Sequence, residues 1–243
     1  MPNGVRIFFI VILADCNDSD SRQPMAPDYN EKTLFRLLIF RILCIFKRYK
    51  IMSEKNQRRK NLIKLAECSV MLALSVVLSF VEIWKMPMGG GITLLSMLPV
   101  CLIAVKYGVK GALPTAFLYS VIQFAIGFSS GNVFVYCVTP VTWIVCLLFD
   151  YIVPFTVLGF SGIFRKKLGN AGIIAGIALM IAIRFVCHYI TGVAIWGQWA
   201  ENMSPYLYSL IYNVQYMLPE CILTSVAAGI LIKIPSVRKL LAL

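Results

Sequence analysis

Residues 184–213, RFVCHYITGVAIWGQWAENMSPYLYSLIYN, contain the chain's one histidine, two of its four tryptophans, an arginine and four tyrosines within an otherwise apolar sequence. If this stretch is helical, His188, Gly192 and Trp196 recur at i, i+4 and i+8 and share one face. Tyr208 and Asn213, with Tyr212 and Tyr216 beyond them, fall in the first half of the next apolar segment. Asp150 lies near the middle of a third segment, LLFDYIVPF, with no basic residue within a helical turn. A carboxylate in such a run is expected to face a cavity or a ligand, because burying it unpaired is costly. Tryptophan and tyrosine faces, a glycine permitting close approach and an anionic carboxylate suit a flat, cationic, heteroaromatic solute, since ring stacking and cation–π attraction contribute about 1 kcal/mol each when desolvated. His188 and Asn213 could then hydrogen-bond ring nitrogens or an exocyclic amine. The plainer alternative is an aromatic belt at a lipid interface. It suffices for Trp199 and Tyr206, but not for an imidazole, an amide and a glycine gathered at one depth. A lone histidine, for its part, is more often a satisfied core residue than a ligand contact.

The elements that must position these groups are membrane spans. Hydrophobic residues make up 59% of the 243 positions and mean hydropathy is +0.80, well above soluble domains. Dyad alternation, the mark of a transmembrane β-barrel, is absent. Apolar stretches near the ~20 residues needed to cross a bilayer as a helix predict an all-α integral membrane protein with six spans, at about 62–84, 91–107, 110–128, 137–164, 168–196 and 205–233. The net charge of +12 reflects topology and not nucleic-acid binding. Lys47, Arg48, Lys50, Lys55, Arg58, Arg59 and Lys60 precede the first span, and alternate connections carry Lys106 and Lys110, then Arg165, Lys166 and Lys167, then Lys233, Arg238 and Lys239. The other connections hold one lysine, so both termini are predicted to be cytoplasmic.

Of the remaining charges inside the spans, Glu67 and Glu82 lie close enough to span ends to be hydrated. Arg184 and Glu220 fall at similar depths in neighbouring antiparallel spans and are expected to form an ion pair. Eight scattered cysteines without a C-x-x-C pair indicate neither a disulfide framework nor a zinc site. The glycines at 89–91 lack the lysine and hydroxyl of a phosphate-binding loop, and G-x-x-x-x-G-K-[ST] does not occur. Any ATP-driven step therefore belongs to another subunit. Residues 1–51 hold two apolar runs too short to span and are expected to be a poorly ordered extension or a misassigned start, with Met52 opening the basic cytoplasmic segment 52–61. The membrane domain then covers 62–235 and a cytoplasmic tail 236–243.

RFVCHYITGVAIWG followed by NMSPYLYSLIYNVQYMLPE, together with GGGITLLSMLPVCLIAVKYGVKGAL and LLFDYIVPF, resembles the thiamine-specific substrate-binding subunit (S component) of energy-coupling factor (ECF) transporters, over about residues 60–235. The resemblance implies a six-helix S-component bundle in the cell membrane that binds thiamine in an outward-side pocket. It also implies association with one coupling transmembrane subunit and two ATP-binding subunits, and no cofactor or enzymatic activity. Residue by residue, the family's acidic group for the aminopyrimidine falls on Asp150, with Tyr151 beside it. The family's histidine falls on His188, its close-approach glycine on Gly192, its stacking tryptophan on Trp196, facing the thiazolium, and its Tyr-x4-Asn pair on Tyr208 and Asn213. A tryptophan of the first outer loop maps to Trp84, and the family's tyrosine about ten positions before the acidic residue meets Pro140. Ser69 and Ala73, small residues four apart on the first span, match the family's docking face for the coupling subunit.

Three alternatives remain open at this level. One is an S component for another vitamin, such as riboflavin or a thiamine precursor. The second is an ion-coupled carrier, which would ordinarily show internal repeats. The third is a membrane enzyme using Asp150 and His188 as an acid/base pair, which lacks a second carboxylate or a nucleophile beside them.

Overall fold

The computed structural model describes residues 56–87, 89–130, 136–200, 202–241 and 243. The expected extension 1–51 and residues 52–55 of the basic segment lie outside them. The chain divides into two compact units, Met1–Arg58 and Arg59–Leu243, and the second contains everything that follows except the first residues of α1. Its elements in order are α1 (Asn56–Ser79), a hairpin of β1 (Glu82–Lys85) and β2 (Gly91–Thr93), α2 (Leu98–Ser130), α3 (Pro140–Phe160), α4 (Arg165–Ala194), α5 (Pro205–Leu231) and the short α6 (Pro235–Leu241). Among the described residues five helices, α1 to α5, are long and apolar enough to cross a membrane.

Where six spans were expected, the first difference is at 82–93. The ends of the first two expected spans form an antiparallel hairpin pairing Glu82 with Thr93, Trp84 with Ile92 and Lys85 with Gly91. Gly89 (φ 93°) and Gly90 (φ 79°) supply the left-handed turn that other residues resist. The remainder of the second expected span, Leu98–Tyr107, is the first part of α2, which is interrupted at Gly108 (φ 69°, ψ 177°) before continuing to Ser130. That first part rises only about 15 Å, half a hydrocarbon core. Its residues from Leu98 to Val105 are all buried by protein. The run is apolar because it is the centre of the core, and hydropathy alone does not separate that from contact with lipid.

Met97, Val100, Cys101, Tyr119, Leu158, Ile173 and Ile177 form the middle of the main core, contributed by α2, α3 and α4 with the residue before α2. α3 starts on a capping box between Thr139 and Thr142 with Pro140 in the first turn. It then widens to a π turn over Leu147–Ile152, the kind of local insertion that often marks functional positions. Asp150 and Tyr151 lie in that turn and both are buried. α1 is packed much less. Ser69 and Ala73 are exposed on it, along with Leu62, Leu65, Val70, Leu74 and Val77.

Candidate functional site

α4 and α5 lie against each other through small side chains. A Cβ on Gly192 would come within 2.0 Å of Ser209 Oγ and 3.2 Å of Asn213 Nδ2, so the close approach this glycine permits is first of all that of α5. We expect Gly192→Ala to lower the thermal unfolding temperature of the detergent-solubilised protein, by an overpacking cost of about 1–3 kcal/mol. Adding Ser209→Ala should recover part of the loss. A Gly192→Ala protein as stable as the unmodified chain would mean that this contact does not constrain the helix pair.

Between α2, α3, α4, α5 and the hairpin is a cavity of about 390 Å³ whose lining includes Asp150, Tyr151, His188, Gly192, Trp196, Tyr208 and Asn213. Trp84 is the correction. It is 63% exposed on β1 and does not line the cavity, because the first outer connection is a short hairpin that leaves this side chain outside.

Asp150 is not unpaired, as its own segment suggested. Its Oδ1 is 2.9 Å from His188 Nδ1 and also accepts from Thr191 Oγ1, and Cys146 Sγ approaches Oδ2 at 3.5 Å. His188 and Thr191 come from α4, which is why no spacing around Asp150 revealed them. Arg184 Nε donates to His188 Nε2 at 3.3 Å. His188 thus bridges the two charged groups, with Nδ1 on the Asp150 carboxylate and Nε2 toward the Arg184 guanidinium. The expected ion pair is present, with Arg184 Nη1 3.7 Å from Glu220 Oε2. The guanidinium also lies 4.5 Å from the centre of the Phe155 ring. Thr93 Oγ1 of β2 donates to Glu220 Oε1 at 2.5 Å. A continuous polar chain therefore runs from the hairpin through Glu220, Arg184 and His188 to Asp150.

The Asn213 amide is engaged within the protein. Its Nδ2 donates to the Ser209 carbonyl at 2.9 Å and the His188 carbonyl at 3.3 Å, and its Oδ1 accepts from Tyr216 Oη at 2.8 Å. Asn213 thus holds the backbone beside His188, a role its position in the sequence did not disclose. Tyr208 stacks on Tyr212 at 5.9 Å between centroids, and Tyr212 meets Tyr216 edge-on. Tyr212 Oη donates to the Gly89 carbonyl at 2.8 Å, while a Cβ on Gly90 would stand 2.9 Å from the Tyr216 ring. The glycine run that lacks phosphate-binding partners is therefore the seat of the hairpin turn on α5.

Trp196 stands just past the end of α4 in a 3-10 turn, Trp196–Trp199. Its ring packs edge-on against Tyr136 at 5.1 Å. The side chain of Trp199 lies outside the described residues. Tyr119 and Gln123 of α2 also line the cavity and were missed. Their i, i+4 spacing inside the apolar run TAFLYSVIQF was the available signal. Among the described residues no group of three His, Cys, Asp or Glu side chains could hold a metal ion.

Residues 65–239 match the model of a family described as thiamine transporter protein (Thia_YuaJ). The chain is 32% identical over 186 residues to the thiamine transporter ThiT of Bacillus subtilis (strain 168), covering 71% of this chain and 91% of that protein. It is 24% identical over 195 residues to the protein of the same name from Lacticaseibacillus paracasei, covering 73% and 90%. A solved structure of ThiT from Listeria monocytogenes superposes with a TM-score of 0.60 at 25% identity, covering 73% of this chain and 98% of that one. With its membrane-length helices and a family match spanning most of its residues, the chain belongs to the thiamine transporter protein family.

Proposed function

We propose that this chain is the thiamine-binding subunit of an ATP-driven ECF importer in the cell membrane, with both termini cytoplasmic. The observation that carries the reading is the convergence on one cavity of the Asp150–His188 pair with the Trp196 and Tyr208 rings. Thiamine is a monocation of two flat rings joined by a methylene, an aminopyrimidine that donates and accepts hydrogen bonds and a thiazolium that carries the charge. Asp150 serves the pyrimidine edge through Oδ2 while His188 holds its Oδ1, Trp196 faces the thiazolium, and Tyr151 and Tyr208 complete the walls. Asn213 and Gly192 set the spacing of α4 and α5 that keeps these groups at one depth.

Delivery across the membrane is assigned to a coupling transmembrane subunit and two ATP-binding subunits, since the sequence has no phosphate-binding loop. The exposed Ser69 and Ala73 on the little-buried α1 offer close helix approach to such a partner. The reading is tested by titrating the detergent-purified protein with thiamine and following tryptophan fluorescence, with riboflavin and biotin as controls. Saturable quenching by thiamine alone is expected. Folded protein that responds to riboflavin or biotin and not to thiamine would move the assignment to another vitamin.

A further inference from the structure

Tyr151 follows Asp150 in the π turn of α3 and lines the same cavity, so the position of its ring sets the room beside the carboxylate. The phenol is seated on Gly127, in the last turn of α2. A Cβ built on Gly127 would stand 2.6 Å from Tyr151 Cζ and 2.7 Å from Cε1, with Oη closer still, well inside the roughly 3.5–4.0 Å of carbon–carbon contact. The backbone does not call for glycine there. Gly127 is helical and is not among the glycines of positive φ, and alanine favours a helix more than glycine does. What the residue provides is the space that the phenol fills.

The surroundings of Tyr151 decide where its ring would go if that space were closed. Phe124 packs edge-on against it at 5.8 Å, Phe128 lies 6.0 Å behind Phe124, and Trp143 meets Phe128 at 5.9 Å. This row of rings fills the α2 side, and the side left to the phenol is the cavity. Gly192 is a different case. A Cβ on Gly192 presses on Ser209 Oγ and Cβ, atoms close to the α5 backbone, so the helices themselves must give. One on Gly127 presses on the far end of a long side chain that borders the ligand site.

We infer that Gly127 is a positioning residue for ligand binding: by receiving the Tyr151 phenol it keeps that ring against α2 and out of the volume that the ligand occupies. This rests on the thiamine reading of the same cavity. The test is calorimetric titration with thiamine, and thermal unfolding, of the detergent-purified full chain, Gly127→Ala, Tyr151→Leu and the double variant. Gly127→Ala should unfold at no lower a temperature than the unmodified chain, because the ring turns into the cavity, yet bind thiamine more weakly by roughly tenfold or more. Tyr151→Leu removes Oη, Cζ and Cε1 together, so in that background Gly127→Ala should cost less than about threefold.

Thiamine bound as tightly by Gly127→Ala as by the unmodified chain would overturn the inference alone, and that arm needs no change at Tyr151. A loss of the same size with and without Tyr151→Leu would do so too, since the effect would not run through the phenol. Weaker binding accompanied by a lower unfolding temperature in Gly127→Ala would show the helices forced apart and not the ring turned, which also overturns it. No binding of thiamine to the unmodified chain would remove the thiamine reading, and this inference with it.

Discussion

Asp150→Asn will weaken thiamine binding by an order of magnitude or more, at least about 1.4 kcal/mol, while leaving the fold intact. The hydrogen bonds around Asp150 make this substitution unusually clean. His188 and Thr191 both approach Oδ1, whereas Oδ2 faces only the Cys146 sulfur among the hydrogen bonds of the site. An asparagine that keeps its oxygen at the Oδ1 position and turns its amide toward Cys146 keeps an acceptor facing both His188 and Thr191. What it removes is the charge, and hydrogen bonds to a charged group contribute about 1.5–3 kcal/mol against about 1 for neutral pairs. Asp150→Ala is different, because it leaves the His188 and Thr191 donors without an acceptor in a buried site and should lower the unfolding temperature. Calorimetric titration for affinity and thermal unfolding for stability separate the two effects. Thiamine bound equally tightly by Asp150→Asn would show that the carboxylate charge does not recognise the ligand.

The residues now found around the cavity were legible in the sequence to the extent that they contrast with their surroundings. Histidine, tryptophan and glycine at four-residue spacing stand out from an apolar helix, and Arg184 and Glu220 could be matched by counting depth along antiparallel spans. Partnership between elements was not legible. Nothing near Asp150 in the chain indicates His188, and nothing near Gly192 indicates Ser209, because both contacts are made by packing of one helix on another. The hairpin was lost for a related reason. Met97, Leu98 and the residues after them are as apolar as any span, yet they are buried by protein, and a hydropathy window extended that span backward over Gly91–Thr93. Trp84 was assigned to the site by position in the family pattern alone. The hairpin leaves it largely exposed, and the rings lining the cavity come instead from α2 to α5, the turn after α4 and Phe80 just past α1.

Trp196→Ala should cost at least as much as the loss of the Asp150 charge. Its ring lies at the cavity end where α4 has already terminated, so its placement depends on the 3-10 turn and on Tyr136, 5.1 Å away and inclined by 65°. An aromatic face against a thiazolium contributes both stacking and cation–π attraction, about 0.5–2 kcal/mol each when water is excluded. Together these predict a loss of roughly tenfold to several hundredfold in affinity. Trp196→Phe keeps a smaller aromatic face and should fall between. Because the substitution removes a fluorophore, affinity is read by calorimetry. In a parallel fluorescence titration the thiamine-dependent quenching should disappear even at saturating ligand. Trp199→Ala, three residues further on, is expected to matter much less, since an interfacial belt accounts for a tryptophan at that position. Equal losses from Trp196→Ala and Trp199→Ala would mean that the turn after α4 presents the other ring to the ligand. Unchanged affinity in both would place the thiazolium against the stacked tyrosines of α5 instead.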